Sequence, residues 1–224
     1  MAGICPLCGA GAAIIGENRA RHFLHCRTCD LISVPHRWHL SSEDQRARYV
    51  KHHNSLQDVG YVRMLNRPIA LLQQYDPDAR RVLDYGSGPT PVLVELLRQA
   101  GYDAAGYDPF FTRDTPLSPP FDAVVSVETF EHFAEPRREM ETIANLLRLG
   151  GCLILMTLFH RGPGSISDWW YARDETHVAF YSPATLNWIA GSFGFDLLYC
   201  DNEQLAALRY QRWAKGSPRQ EWTS

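Results

Sequence analysis

The chain has 224 residues, 45% hydrophobic and 21% charged, a normal globular balance that allows one domain of ordinary size plus a small accessory module. Its formal charge of −3 argues against a general nucleic-acid binder, which is usually basic. No apolar run approaches the ~20 residues of a membrane helix, and the opening MAGICPLCGAGAAIIGENRAR lacks the basic flank of a signal peptide, so a cytoplasmic location without disulfides is expected.

Residues 1–40 carry two cysteine pairs, Cys5-Pro-Leu-Cys8 and Cys26-Arg-Thr-Cys29, with 17 residues between them. Each CxxC turn aims two thiolates at one tetrahedral point, and the spacing matches a zinc ribbon. The competing readings are two disulfides, disfavoured without export, and a redox CxxC, disfavoured by two matched pairs. We expect a structural Zn2+ on Cys5, Cys8, Cys26 and Cys29, a closed shell with no position left for catalysis. Residues 41–79 read as a helical connector. Ser41 with Asp44 fits a capping box, and Val59, Val62, Leu65, Ile69 and Leu72 form an amphipathic stripe that Pro68 should kink or divide.

From residue 80 to 214, strand and helix patterns alternate. Strands are expected at 81–85, 104–108, 122–127, 152–158, 195–200 and 204–210. Helices are expected at 91–99 with Thr90 as N-cap, at 136–149 closed by Gly150-Gly151, and from Ser182-Pro183 to Gly194. This alternation implies βαβ units in an α/β fold. The tail, 215–224, should fray. Cys152 and Cys200 fall in apolar strands and read as core residues.

The most informative stretch is Val82-Leu83-Asp84-Tyr85-Gly86-Ser87-Gly88-Pro89-Thr90. An apolar strand enters a turn with two glycines and then a helix, which lets backbone approach a ligand closely. A nicotinamide fingerprint would need a third glycine where Pro91 stands. Asp84-x-Gly86-x-Gly88 instead resembles motif I of the class I S-adenosylmethionine-dependent methyltransferases, with Thr90 in place of the third glycine. Gly106-Tyr107-Asp108 follows 24 residues after Asp84, where that family has an acidic residue for the ribose. Phe121–Phe133, FDAVVSVETFEHF, resembles the fourth strand, and Leu147-Arg-Leu-Gly-Gly-Cys-Leu153 resembles the segment before strand five.

The resemblance covers about residues 80–200. It implies a Rossmann-like, seven-stranded, mostly parallel sheet with helices on both faces. It also implies S-adenosyl-L-methionine held by Asp84, Gly86, Ser87, Gly88, Asp108 and Glu128. Only 12 residues, rich in proline, separate Asp108 from Phe121, so the usual helix and third strand are compressed; Phe110, Phe111 and Leu117 are candidates for packing on the adenine. Glu128, Glu131 and His132 should lie near the transferred methyl.

Residues 160–181, HRGPGSISDWWYARDETHVAFY, form a long aromatic connection at the ligand-binding edge of the sheet. Together with His52-His53-Asn54 and Asp58-x-Gly60-Tyr61 it resembles bacterial zinc-ribbon methyltransferases. Trp170 and Phe180 read as packing residues, whereas His177 reads equally as a packed or a functional side chain. His132 or His177 is the expected base, because imidazole titrates near neutral pH, with Glu128 or Glu131 orienting it. Three functions remain open: methyl transfer to a small-molecule acceptor, an RNA-modifying methyltransferase using the zinc module and Arg19, Arg21, Arg27, Arg37, Arg46, Arg48 and Lys51, and a non-catalytic cofactor-binding scaffold.

Overall fold

The computed structural model describes residues 3–18, 21–51, 55–112 and 117–211. The tail 215–224, Arg19 and His52–Asn54 lie outside the described residues.

Six strands form the main sheet: β5 (Arg81–Tyr85), β6 (Asp103–Tyr107), β7 (Phe121–Val127), β8 (Leu147–Met156), β10 (Phe195–Cys200) and β11 (Leu205–Tyr210). Their order is β10-β11-β8-β7-β5-β6. The β6-β5-β7-β8 block is parallel, and β11 and β10 pair antiparallel. The sheet is the expected Rossmann-like one, with six strands among the described residues, and β6 lies at its edge among them.

Side chains alternate across each strand, so the two faces can be read residue by residue. Val82, Ala123, Val125, Ile154 and Ala207 pack with helices α2 (Val59–Tyr75) and α3 (Val92–Gln99) on one face. Leu83, Tyr85, Val124, Leu153, Leu155 and Leu208 face α4 (Pro136–Leu146) and α5 (Pro183–Phe193) on the other. That second core also takes in Cys5, Leu7, Cys8, Cys26, Cys29 and Leu31, so the cysteine module shares apolar contacts with the main sheet and its helices.

Three local outcomes differ from the sequence pattern. Helix α2 runs through Pro68 as one 17-residue element, so of the two expected outcomes, a kink or a division, the division does not occur. The proline removes one hydrogen bond, but Leu65, Pro68, Ile69 and Leu72 are all buried, and burial of each large aliphatic contributes about 1.5–3 kcal/mol. Helix α3 starts one residue late, with Pro91 at its cap position and no side-chain cap, so Thr90 is not the N-cap. Helix α4 stops at Leu146, not at 149, because Leu147 already pairs with Phe121 in the sheet and Arg148 is drawn across to Asp122 (2.6 Å) and Asp76 (3.3 Å).

At α1 (Ser42–Tyr49), Ser41 is the N-cap and its Oγ accepts from the Asp44 N–H, but the reciprocal bond of a capping box is not formed; at α5, Ser182 caps the start and Gly194 ends the helix at φ 73°. Five short strands make a second sheet. β1 (Gly3–Ile4), β2 (Gly11–Asn18), β3 (Arg21–His25) and β4 (Ile32–Ser33) come from the cysteine module, and β9 (Ala179–Phe180) comes from the long aromatic connection. β4 and β9 pair antiparallel, joining the amino-terminal module to the segment that carries His177.

Candidate active site and metal centre

The candidate cofactor residues gather where strands β5, β6 and β7 end. Gly86 and Gly88 adopt φ of 93° and 65°, a region that L side chains rarely enter. A Cβ at Gly86 would collide with the Thr129 side chain, whereas one at Gly88 would meet nothing within 4 Å, so the second glycine leaves open room above the turn. The Gly86 and Ser87 N–H groups both donate to the Tyr107 carbonyl (2.8 and 3.0 Å), which ties the turn to β6. Ser87 Oγ is buried without a hydrogen-bond partner among the described residues. Asp108 accepts from the N–H groups of Gly88 (3.0 Å), Phe110 (2.8 Å) and Phe111 (3.2 Å), so its carboxylate fixes the glycine turn to the turn after β6.

Charge at this edge is acidic. Burial and then the neighbouring Asp108 push the Asp84 carboxyl up to about 8. Burial and then Glu131 push Glu128 up to about 8 as well. Glu128 directly follows β7 and holds φ at 49°, a strained backbone for a non-glycine residue. Tyr61, from α2, feels both Asp84 and Glu128; burial first, then those charges, raise its hydroxyl to about 12.

A second group is Glu131, His132 and His177, each offering a ligand atom within 4.8 Å of the others. Glu131 is fully buried; its Oε2 accepts from the Thr157 hydroxyl (2.8 Å) and its Oε1 has no hydrogen-bond partner among the described residues. His132 Nδ1 lies 3.0 Å from the Thr176 carbonyl, and His177 Nδ1 lies 2.8 Å from the Tyr171 carbonyl. Burial holds His177 below the usual imidazole range. An aromatic series runs Phe110–Tyr49–His132–His177–Tyr171–Phe180–Phe23, with centroids 4.3–6.4 Å apart, and forms one wall of the site. Phe180 is buried as read from sequence, but Trp170 is 65% exposed and does not pack inside.

The segment bearing His177 is held by Arg21 of β3. Its guanidinium donates to the carbonyls of Ala172 (2.7 Å), Asp174 (3.0 Å), Glu175 (3.1 Å) and His177 (3.3 Å). Asp30 makes a second link: it accepts from Ser182 Oγ (2.6 Å) at the α5 cap and contacts His25 (2.7 Å), while its carbonyl meets His160 (2.9 Å).

The four cysteine sulfurs also lie within 4.8 Å of one another, with Cys5–Cys29 at 3.5 Å and Cys8–Cys26 at 3.3 Å. A disulfide requires about 2.05 Å, whereas sulfurs about 2.3 Å from a tetrahedral zinc stand roughly 3.8 Å apart. The donor set and its spacing fit Zn2+.

A family model described as a methyltransferase domain matches residues 52–199. The chain belongs to the methyltransferase-domain family. No curated protein matches it. Among solved structures, a protein from Pyrococcus horikoshii OT3 aligns at a TM-score of 0.54 and 13% identity, covering 75% of this chain and 99% of that one. A TehB-like SAM-dependent methyltransferase from Corynebacterium glutamicum ATCC 13032 aligns at 0.46 and 18%, covering 76% and 96%. An O-methyltransferase family protein from Burkholderia thailandensis aligns at 0.48 and 16%, covering 75% and 63%.

The methyltransferase uses S-adenosyl-L-methionine, and its site fits that cofactor on two observations: the open side of Gly88, and buried acids at Asp84 and Glu128 whose named charged neighbours are other acids. A ligand carrying a sulfonium and an ammonium offsets that charge. No helix among the described residues is long and apolar enough to cross a membrane. Sequence reasoning missed Arg21 as a clamp, Tyr49 and Thr157. Thr157 had a positional signal, since it directly follows β8 at the ligand-binding edge. Arg21 and Tyr49 had none, because their partners are more than 80 residues away.

Proposed function

We propose that this methyltransferase transfers the methyl group of S-adenosyl-L-methionine to a small-molecule acceptor in the cytoplasm. The observation that supports this reading is the cluster of Glu131, His132 and His177, whose ligand atoms lie within 4.8 Å of one another and which follows the same strand β7 that ends at the cofactor edge with Glu128. When bound, the cofactor supplies an electrophilic methyl carbon on a cationic sulfur. Gly86, Ser87 and Gly88 admit it, Asp108 offers a carboxylate to the ribose, and Asp84 and Glu128 balance its charge. The Glu131–His132–His177 cluster faces the acceptor and relieves it of its proton, and the aromatic wall excludes water.

A small acceptor is favoured because two of the arginines that would grip RNA are already engaged within the protein. Arg21 is buried among carbonyls, and Arg48 pairs with Asp174 and Glu175 at 3.2 Å each. In this reading residues 1–40 are a structural zinc module, 41–79 a connector and 80–214 the catalytic domain, and the reduced thiols suit the cytoplasm. Incubation of the protein with methyl-labelled cofactor and fractionated extract tests the proposal. Label entering the metabolite fraction is the expected result; label only in RNA, or in no fraction, overturns it.

A further inference from the structure

We propose that Glu131, His132 and His177 bind a divalent first-row transition-metal ion, a second metal site separate from the four cysteines. The inference deepens the acceptor-side reading above, on which it rests for its functional meaning, and it specifies how the cluster activates an acceptor.

The hydrogen bonds define which atoms are available. A carbonyl oxygen can only accept, so the Nδ1 atoms of His132 and His177, facing the Thr176 and Tyr171 carbonyls, both carry hydrogen. In each neutral ring the lone pair is then on Nε2. Metal-binding imidazoles are oriented in this way, with one nitrogen donating to a backbone carbonyl and the other bare. The third group is Glu131. Thr157 occupies its Oε2, while Oε1 is buried, unpartnered among the described residues and 3.9 Å from His132 Nε2.

One ligand atom from each of the three residues lies within 4.8 Å of the others, and no hydrogen bond among the described residues reaches Glu131 Oε1. A lone carboxylate oxygen buried without a partner is costly. One added proton can serve a single pair and leaves the third acceptor unmet, whereas a cation serves all three. Two imidazoles and one carboxylate, with positions left open, suit first-row divalent ions. Bonds of about 2.0–2.2 Å put ligand atoms roughly 3.3 Å apart at a tetrahedral centre. The edges of the cluster, none longer than 4.8 Å, must therefore close by at most about 1.5 Å on binding. An open position would take an oxygen of the acceptor, which makes a hydroxyl, enol or carboxylate compound the fitting substrate class.

The test counts metal on the full chain, incubated separately with excess Zn2+, Co2+ and Mn2+ at neutral pH, gel-filtered and measured by elemental mass spectrometry. The expected result is two equivalents in the wild type with at least one of these ions. His177→Ala and Glu131→Gln should each retain one, the four-cysteine equivalent, which also reports that the variant has folded. In Co2+-loaded protein, the weaker absorption of a nitrogen- and oxygen-ligated ion should vanish in His177→Ala while the thiolate bands persist. One equivalent in the wild type with every ion overturns the proposal, as does an undiminished second equivalent in both variants. If the wild type holds one equivalent and His177→Ala still abolishes turnover, the metal site is refuted and the acceptor-side reading survives.

Discussion

The two halves of the site are built on different length scales. The cofactor side comes from residues 84–128, a nearly contiguous run in which three parallel strands deliver Asp84, Asp108 and Glu128 to one edge. The acceptor side is assembled from remote pieces: Arg21 on β3, Tyr49 on α1, His132 after β7, and His177 on a segment that pairs through β9 with the amino-terminal sheet. The first half depends on local turn chemistry and the second on docking of the zinc module. The module therefore does more than fold itself, because its strands and Arg21 hold the segment that presents His177.

If that contrast is right, metal loss should damage the acceptor half first. Structural zinc contributes about 10–16 kcal/mol in small zinc peptides. Cys26→Ser, or treatment with a strong chelator, is expected to unfold the amino-terminal sheet and expose the core shared by Leu7, Leu31 and Tyr181. Hydrogen exchange should show lost protection in residues 3–34 and 160–181 before the β5–β8 strands. Equal loss everywhere would erase the distinction. The next largest effect is chemical: His177→Ala should lower kcat about 10²–10⁴-fold with cofactor affinity changed less than about twofold. A fall in cofactor affinity as large as the fall in kcat would place His177 on the wrong side of the site.

The same contrast explains what could be read in the sequence. Strand β5, the positive-φ glycines and the register of Asp108 behind Asp84 follow from neighbours within a few tens of residues, and so does the pairing of the two CxxC turns. The Arg21 clamp and the β4–β9 pairing join residues about 150 apart, and no local periodicity encodes them. The end of α4 departs from the sequence pattern for a related reason. Tertiary partners, Phe121 for Leu147 and Asp122 for Arg148, override local helix signals.

Arg21→Met tests the clamp with a smaller effect. Hydrogen bonds to a charged group contribute about 1.5–3 kcal/mol, and abandoned buried carbonyls add a penalty. We expect a loss of roughly 3 kcal/mol in urea unfolding, together with a lower kcat and unchanged cofactor binding by calorimetry. Arg21→Lys should recover little, since one ammonium cannot span four carbonyls. Full activity in Arg21→Met would mean that His177 is held by its own contacts, chiefly the Tyr171 carbonyl and ring.

The smallest effect belongs to the cofactor half and concerns pH. Asp84 is raised from 3.8 to about 8, by burial first and Asp108 second; Tyr61, the other titratable group against it, stays neutral below about 12. Between roughly pH 4 and 8 the folded protein therefore holds a proton that the unfolded chain has released, so stability without cofactor should fall as pH rises through that window. A cationic ligand favours the carboxylate, so binding expels that proton. Affinity for S-adenosyl-L-methionine should rise with pH, by at most about tenfold per unit, and level off above about pH 8. Calorimetry in buffers of different ionisation enthalpy reads the released proton directly. Asp84→Asn should bind more weakly and flatten the profile, and the difference between the two profiles isolates Asp84 from Glu128. An affinity independent of pH in the wild type would show that Asp84 is already ionised, with its charge met by the protein instead of the ligand.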